Sequence, residues 1–133
     1  MFKIYNINSL LIKIFEALLY ICAPFSNKIE KGIIGRKNSF KKLNLCFKKG
    51  DRIIHIHCAS HGEYLLAKKL IHNLKEKFKN HRFLLSFISP SGYENVKSDL
   101  FDCIIYLPLA TNKNCIKFYN CLLYTSPSPR DDR

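Results

Sequence analysis

Acidic side chains are scarce. The sequence carries 10 Asp and Glu against 22 Lys and Arg, a formal net charge of +12 at pH 7. That excess favours an anionic partner: nucleic acid, phosphorylated lipid or a membrane face. Part of it is the Lys, Asn and Ile richness that an AT-rich genome also produces. No C-x-x-C pair occurs among Cys22, Cys46, Cys58, Cys103, Cys115 and Cys121, and zinc-ligand spacing is missing. No metal site or disulfide framework is therefore expected, and a reducing compartment is. G-x-G-x-x-G and G-x-x-x-x-G-K-[ST] are both absent, which excludes the dinucleotide and P-loop fingerprints. Also lacking is a clean apolar run of about 20 residues, the length that spans a bilayer. Residues 1–27 come nearest but are interrupted by Lys3, Lys13 and Glu16. No small-residue cleavage site follows, so a secretory signal is not expected.

What is present suits one domain. The chain has 133 residues, 47% of them hydrophobic, enough for a core. Residues 1–27 read as a helix lying on or dipping into a membrane, or else packed on the domain. Residues 28–50 carry Lys28, Lys31, Arg36, Lys37, Lys41, Lys42, Lys48 and Lys49 and read as a basic connector. A cationic stretch beside an apolar anchor is what an anionic leaflet attracts; a solvated loop is the plain alternative.

From residue 51 the pattern alternates. Three short apolar, β-branched runs, 52–59, 82–89 and 103–109, predict strands. Between them, residues 62–80 place Leu66, Leu70, Leu74 and Phe78 at i+4 spacing, with Leu65 and Ile71 beside them, which predicts an amphipathic helix with that apolar face inward and Lys on its outer face. Residues 91–101 open a second helix and 112–123 a third. Such alternation means βαβ units and a parallel sheet with right-handed crossovers. Ligands collect at the carboxyl ends of such strands. Residues 124–133 drop to Ser, Pro and charge and are expected to be a non-homologous or disordered tail.

Chemistry concentrates in HCASHGEY, residues 57–64. Ser60 and Glu63 fit the S-x-x-E capping box, and Ser91 with Glu94 repeats the pattern. A cap therefore explains either glutamate. Glu63 differs in following Gly62 at a strand's carboxyl end, where a missing side chain lets a substrate approach. A carboxylate there could take a proton from a bound hydroxyl. His55 and His57 share a strand face but have no supporting Cys or carboxylate, so a metal is not expected. Cys58, in the strand, lacks the setting of a nucleophile. Ser89-Pro90-Ser91-Gly92 forms a second turn whose backbone N–H groups could hold an anion. On these residues alone, a basic α/β module binding nucleic acid or an anionic membrane stays open beside an enzyme.

Four stretches taken in order, GRKNSFKKL (35–43), IHCASHGEY (56–64), FISPSGYENVK (87–97) and YLPLATNKNCIKFY (106–119), resemble the N-terminal half of bacterial Kdo transferases, the 3-deoxy-D-manno-octulosonic acid transferases of lipid A assembly. The resemblance covers roughly residues 1–120. It implies a GT-B glycosyltransferase with two Rossmann-like domains, this chain carrying the first. It implies Kdo transfer from CMP-Kdo to lipid IVA, the lipid A precursor, with no cofactor, no metal and no nucleic-acid partner. Glu63 falls on the family's catalytic base. Ser60, Gly62, Ser91 and Gly92 would line the cleft, and Arg36 and Lys37 would meet the anionic lipid. The location implied is the cytoplasmic face of the bacterial inner membrane. Two positions depart from the pattern: Ala110 stands where Asp is usual, and His61 replaces a small or aliphatic residue. The donor would sit on a second domain, without which transfer by this chain alone is not expected.

Overall fold

The computed structural model describes residues 10–14, 17, 18, 26–97 and 99–123. The tail expected at 124–133 and most of the apolar segment 1–27 lie outside the described residues. The elements are α1 (Asn27–Cys46), β1 (Ile53–Cys58), α2 (His61–Lys77), β2 (Arg82–Phe87), α3 (Pro90–Asn95), β3 (Cys103–Tyr106) and α4 (Asn112–Leu123). The strands form a parallel sheet in the order β1-β2-β3, a Rossmann-like arrangement. Alternate side chains enter two cores. Phe83, Leu85 and Phe87 of β2 pack with Cys58, Tyr64, Ile71, Val96 and Phe101 on one face, while Leu84, Cys103 and Ile105 meet Leu43 and Phe47 on the other. With both faces covered, β2 is buried along nearly its whole length, as a parallel strand must be.

The stretch expected to be a basic connector is instead a 20-residue helix, α1. Its inward ridge is Gly35, Ser39 and Leu43, at i+4 spacing, continued by Phe47 just past the helix. Half of that ridge is too small or polar to register as hydrophobic. The small residues serve close approach: a Cβ on Gly35 would stand 2.2 Å from the Tyr106 ring. Ser39, 1% exposed, donates to the Tyr106 carbonyl at 2.6 Å and lies 3.0 Å from the Gly35 carbonyl of its own helix. Helix α1 is thereby pinned across β3. Its last turn is held as well: Arg82 donates to the Cys46 carbonyl at 3.1 Å and pairs with Asp102 at 2.7 Å. Gly50, at φ +97°, makes the turn into β1 in the left-handed region that glycine favours.

In α2 the expected face is partly displaced. Leu65, Leu66 and Leu70 are exposed, Leu66 by 88%, whereas Ile71 is buried as expected and Tyr64 joins it. Ala67, Leu74 and Phe78 complete the inner face. The positions 64, 67, 71, 74 and 78 alternate steps of three and four and follow the helix period. A pure i+4 series drifts round the axis and rejoins the core only at Leu74 and Phe78.

On the α1/α4 face, Ser86 lies between His55 and His57. His55 Nε2 turns inward to within 2.7 Å of Ser86 Oγ, and Phe118 of α4 meets its ring edge-on at 5.4 Å. Desolvation, then the neighbouring His57, holds its pKa down to about 4 from an ordinary 6.5.

Two predictions follow from this packing. Gly35→Ala should destabilise by a net ~1–2 kcal/mol, overpacking at Tyr106 outweighing the better helix propensity of Ala. A lowered urea midpoint with unchanged slope checks it. His55 is neutral in the folded chain, while the unfolded chain takes a proton below pH 6.5. Its contribution to stability is present above 6.5 and lost as pH falls toward about 4. Urea unfolding measured across that window should show the decline, and His55→Gln should flatten it.

Candidate functional site

The carboxyl ends of β1 and β2 each pass through a serine cap into a helix. At the first turn, Ser60 is extended (φ −142°, ψ 172°) and its Oγ accepts from Glu63 N–H at 3.4 Å. Glu63 Oε2 reaches back to accept from Ala59 N–H at 2.6 Å. This is a capping box with its return bond one residue early. The glutamate nonetheless remains exposed. Gly62 is exposed too, and a Cβ on it would meet only Ser60 Oγ at 3.8 Å, so the site is open on that side.

The second turn is bound to the first. Ser89 N–H donates to the Ala59 carbonyl at 3.0 Å, extending the β1–β2 ladder past the strand ends. Ser89 Oγ accepts from Ser91 N–H at 3.2 Å and lies 2.8 Å from Ser91 Oγ. Gly92 N–H goes to the Ser89 carbonyl at 3.2 Å. The backbone donors expected to hold an anion at Ser91 and Gly92 are therefore engaged within the turn. Gly92 does not line a cleft either. It is buried, and a Cβ there would stand 2.1 Å from Phe87, so it is glycine for packing. Ser91 remains exposed.

Of the two cations nominated on α1, Arg36 reaches this end of the sheet. It donates to the Ile88 carbonyl at 2.8 Å and stacks over Tyr106, its guanidinium carbon 5.6 Å from the ring centre. Burial lowers its pKa from the ordinary 12.5, with Tyr106 acting in the opposite direction. Lys37, one position on, is exposed. Tyr93 stacks on Tyr106 at 4.2 Å, and Lys42 meets Tyr93 through its hydroxyl and ring. Burial, then Glu94, pushes the Tyr106 hydroxyl up to about 12. This aromatic–cation column was not read from the sequence, because its members come from three elements. The His55–Ser86–His57 contact was missed for the same reason: the register His57↔Ser86 becomes visible only once the strands are paired.

Burial, then the Glu63 charge, pushes the Cys58 thiol above its usual range, which suits a buried apolar role. Among the described residues no cluster of three His, Cys, Asp or Glu side chains could hold a metal. A groove of about 730 Å³ opens between the end of α1 and α4, lined by Asn44, Lys49, Lys113, Ile116, Lys117, Asn120 and Cys121. It contains no residue of the two turns.

The family described as 3-Deoxy-D-manno-octulosonic-acid transferase (kdotransferase) matches residues 33–123, which take in both turns and every strand. The chain is similar to a 3-deoxy-D-manno-octulosonic acid transferase of Aquifex aeolicus (strain VF5), 39% identical over 75 residues. That match covers 55% of this chain and 20% of the relative, so the chain spans about a fifth of the curated protein it matches. No solved structure matches the chain. With both turns, every strand and most of the helix that pins β3 inside the matched region, this chain belongs to the 3-deoxy-D-manno-octulosonic acid transferase family, a family of glycosyltransferase enzymes.

Proposed function

We propose that this chain is the acceptor-side domain of an inverting GT-B enzyme that moves Kdo from CMP-Kdo to a hydroxyl of lipid IVA. Glu63 is the base. The observation that carries this is an exposed carboxylate fixed at the carboxyl end of β1 by the Ala59 amide. With Oε2 held there, Oε1 is the oxygen assigned to the substrate. It takes the acceptor's hydroxyl proton as that oxygen bonds to the anomeric carbon of Kdo. The bond from the anomeric carbon to the cytidylate phosphate breaks, and CMP departs with the electron pair. Glu63 lies in the first turn of α2. Ser60, Gly62 and Ser91 border the acceptor, and Arg36 faces its phosphate. The donor belongs to a second domain, so the 133-residue chain by itself is not expected to complete transfer.

A membrane location is part of this proposal. Residues 10–14, 17 and 18 are helical, and Leu10, Ile14 and Leu18 fall on one face at i+4 spacing. All three are exposed, as is Leu11. No helix of the described residues is long and apolar enough to cross a membrane. An exposed apolar stripe followed by the lysine-rich α1 suits a helix lying in an anionic interface, here the cytoplasmic face of the inner membrane.

A second reading rests on the same hydrogen bond. Accepting from Ala59 N–H is what a cap does, and a basic, non-catalytic module would keep it. Glu63→Gln separates the two readings, because glutamine can still accept that bond but cannot take a proton. In the full-length transferase carrying this sequence, kcat should fall about 10²–10⁴-fold with little change in Tm. Transfer at a near-normal rate would leave only the cap. For the membrane, Ile14→Asp with Leu18→Asp should weaken cosedimentation with phosphatidylglycerol vesicles by about tenfold or more. Undiminished binding would place the contact elsewhere.

A further inference from the structure

Ser86 is 0% exposed, and its hydroxyl faces two imidazole nitrogens: His55 Nε2 at 2.7 Å and His57 Nδ1 at 3.0 Å. One hydroxyl carries one hydrogen, so with both rings neutral it can donate to only one of them. The other ring must donate to Ser86. The shorter contact fits an O–H donor and the longer one an N–H donor. The arrangement that fits both contacts has Ser86 donating to His55 Nε2 and accepting from His57 Nδ1–H. The pKa of His55, about 4, keeps that ring neutral and able to accept. The consequence falls on His57: with its hydrogen on Nδ1, its Nε2 bears a lone pair.

The place of that lone pair matters. His57 is the penultimate residue of β1, exposed, and two residues before Ala59, whose amide holds Glu63. Helix α4 meets the strand one step back, where Phe118 lies against His55. An imidazole at a strand's carboxyl end, with one nitrogen anchored in the sheet and the other a hydrogen-bond acceptor, suits a ligand rich in hydroxyl groups. We propose that His57 Nε2 accepts a hydrogen bond from a sugar hydroxyl of the acceptor, and that Ser86 is the positioning residue that sets the tautomer. The assignment of the sugar rests on the transferase reading; the tautomer does not.

Long-range ¹H–¹⁵N correlation spectra of histidine-labelled chain, recorded above the ordinary histidine titration range, read the tautomer directly. His57 should appear as the Nδ1–H form, and Ser86→Ala should shift it toward Nε2–H. In the full-length transferase, His57→Phe should raise the acceptor KM about 5- to 10-fold, the worth of one hydrogen bond, with kcat little changed. His57→Gln, which keeps an acceptor near the Nε2 position, should recover most of that. An Nε2–H tautomer in the unmodified chain overturns the proposal. So does a His57 spectrum indifferent to Ser86→Ala, or an acceptor KM unmoved by His57→Phe. Failure of the transferase reading shows separately, as no Kdo transfer by the unmodified full-length protein.

Discussion

The parallel pairing of β1 with β2 is the interaction from which the other geometry follows. Its register sets His57 opposite Ser86 and Cys58 opposite Phe87. The same ladder then runs on through Ser89 N–H to the Ala59 carbonyl. Two strand-to-helix turns separated by about 30 residues of sequence are thereby laid side by side. A slip of one residue in β2 would turn Ser86 away from both histidines into the apolar core of α2 and α3, and carry Phe83, Leu85 and Phe87 to the opposite face. Buried β2 tolerates neither, so the register is strongly specified. The positions of the site residues are by-products of core packing.

The second constraint is the grip of α1 on β3. A helix carrying this many cations would ordinarily be a solvated surface element. Gly35 and Ser39 let it descend onto Tyr106, and that descent swings Arg36 to the carbonyl of Ile88 at the second turn. Positive charge reaches the carboxyl end of the sheet through small residues three turns or fewer from the middle of the helix. Partial desolvation against Tyr106 also makes Arg36 a more directed donor than the lysines around it. The chain's charge excess thus has two distinct settings: exposed lysines that attract an anionic surface at range, and a guanidinium braced against Ile88 and Tyr106 at the site.

The legibility of the sequence tracked how local each signal was. The strands, and α4 at Asn112–Leu123, follow from β-branched runs and short-range periodicity. The Ser60–Glu63 cap follows from four consecutive residues. What failed depended on partners distant in sequence. Helix α1 was hidden because its buried ridge is glycine and serine, meaningful only against Tyr106. The inner face of α2 was legible at Ile71, Leu74 and Phe78 but not at Leu65, Leu66 and Leu70, because hydrophobicity alone cannot say which leucines face the sheet. Gly92 resembled a ligand-approach glycine until Phe87 was seen beneath it. Ser86 carried no signal of its own: a lone serine in an apolar strand becomes informative only when two imidazoles converge on it.

Capping and catalysis at Glu63 are compatible because a carboxylate has two oxygens. Oε2 serves the Ala59 amide, and a proton taken at Oε1 leaves that bond unbroken. Under the proposed mechanism the two oxygens divide the work. Had both been tied to backbone amides, or had the side chain lain beneath α2, no acceptor hydroxyl could reach it. Instead Glu63 is exposed, and Gly62 beside it leaves the approach open, a Cβ there meeting only Ser60 Oγ at 3.8 Å. One oxygen can therefore fix the side chain in place while the other stays free to face a substrate.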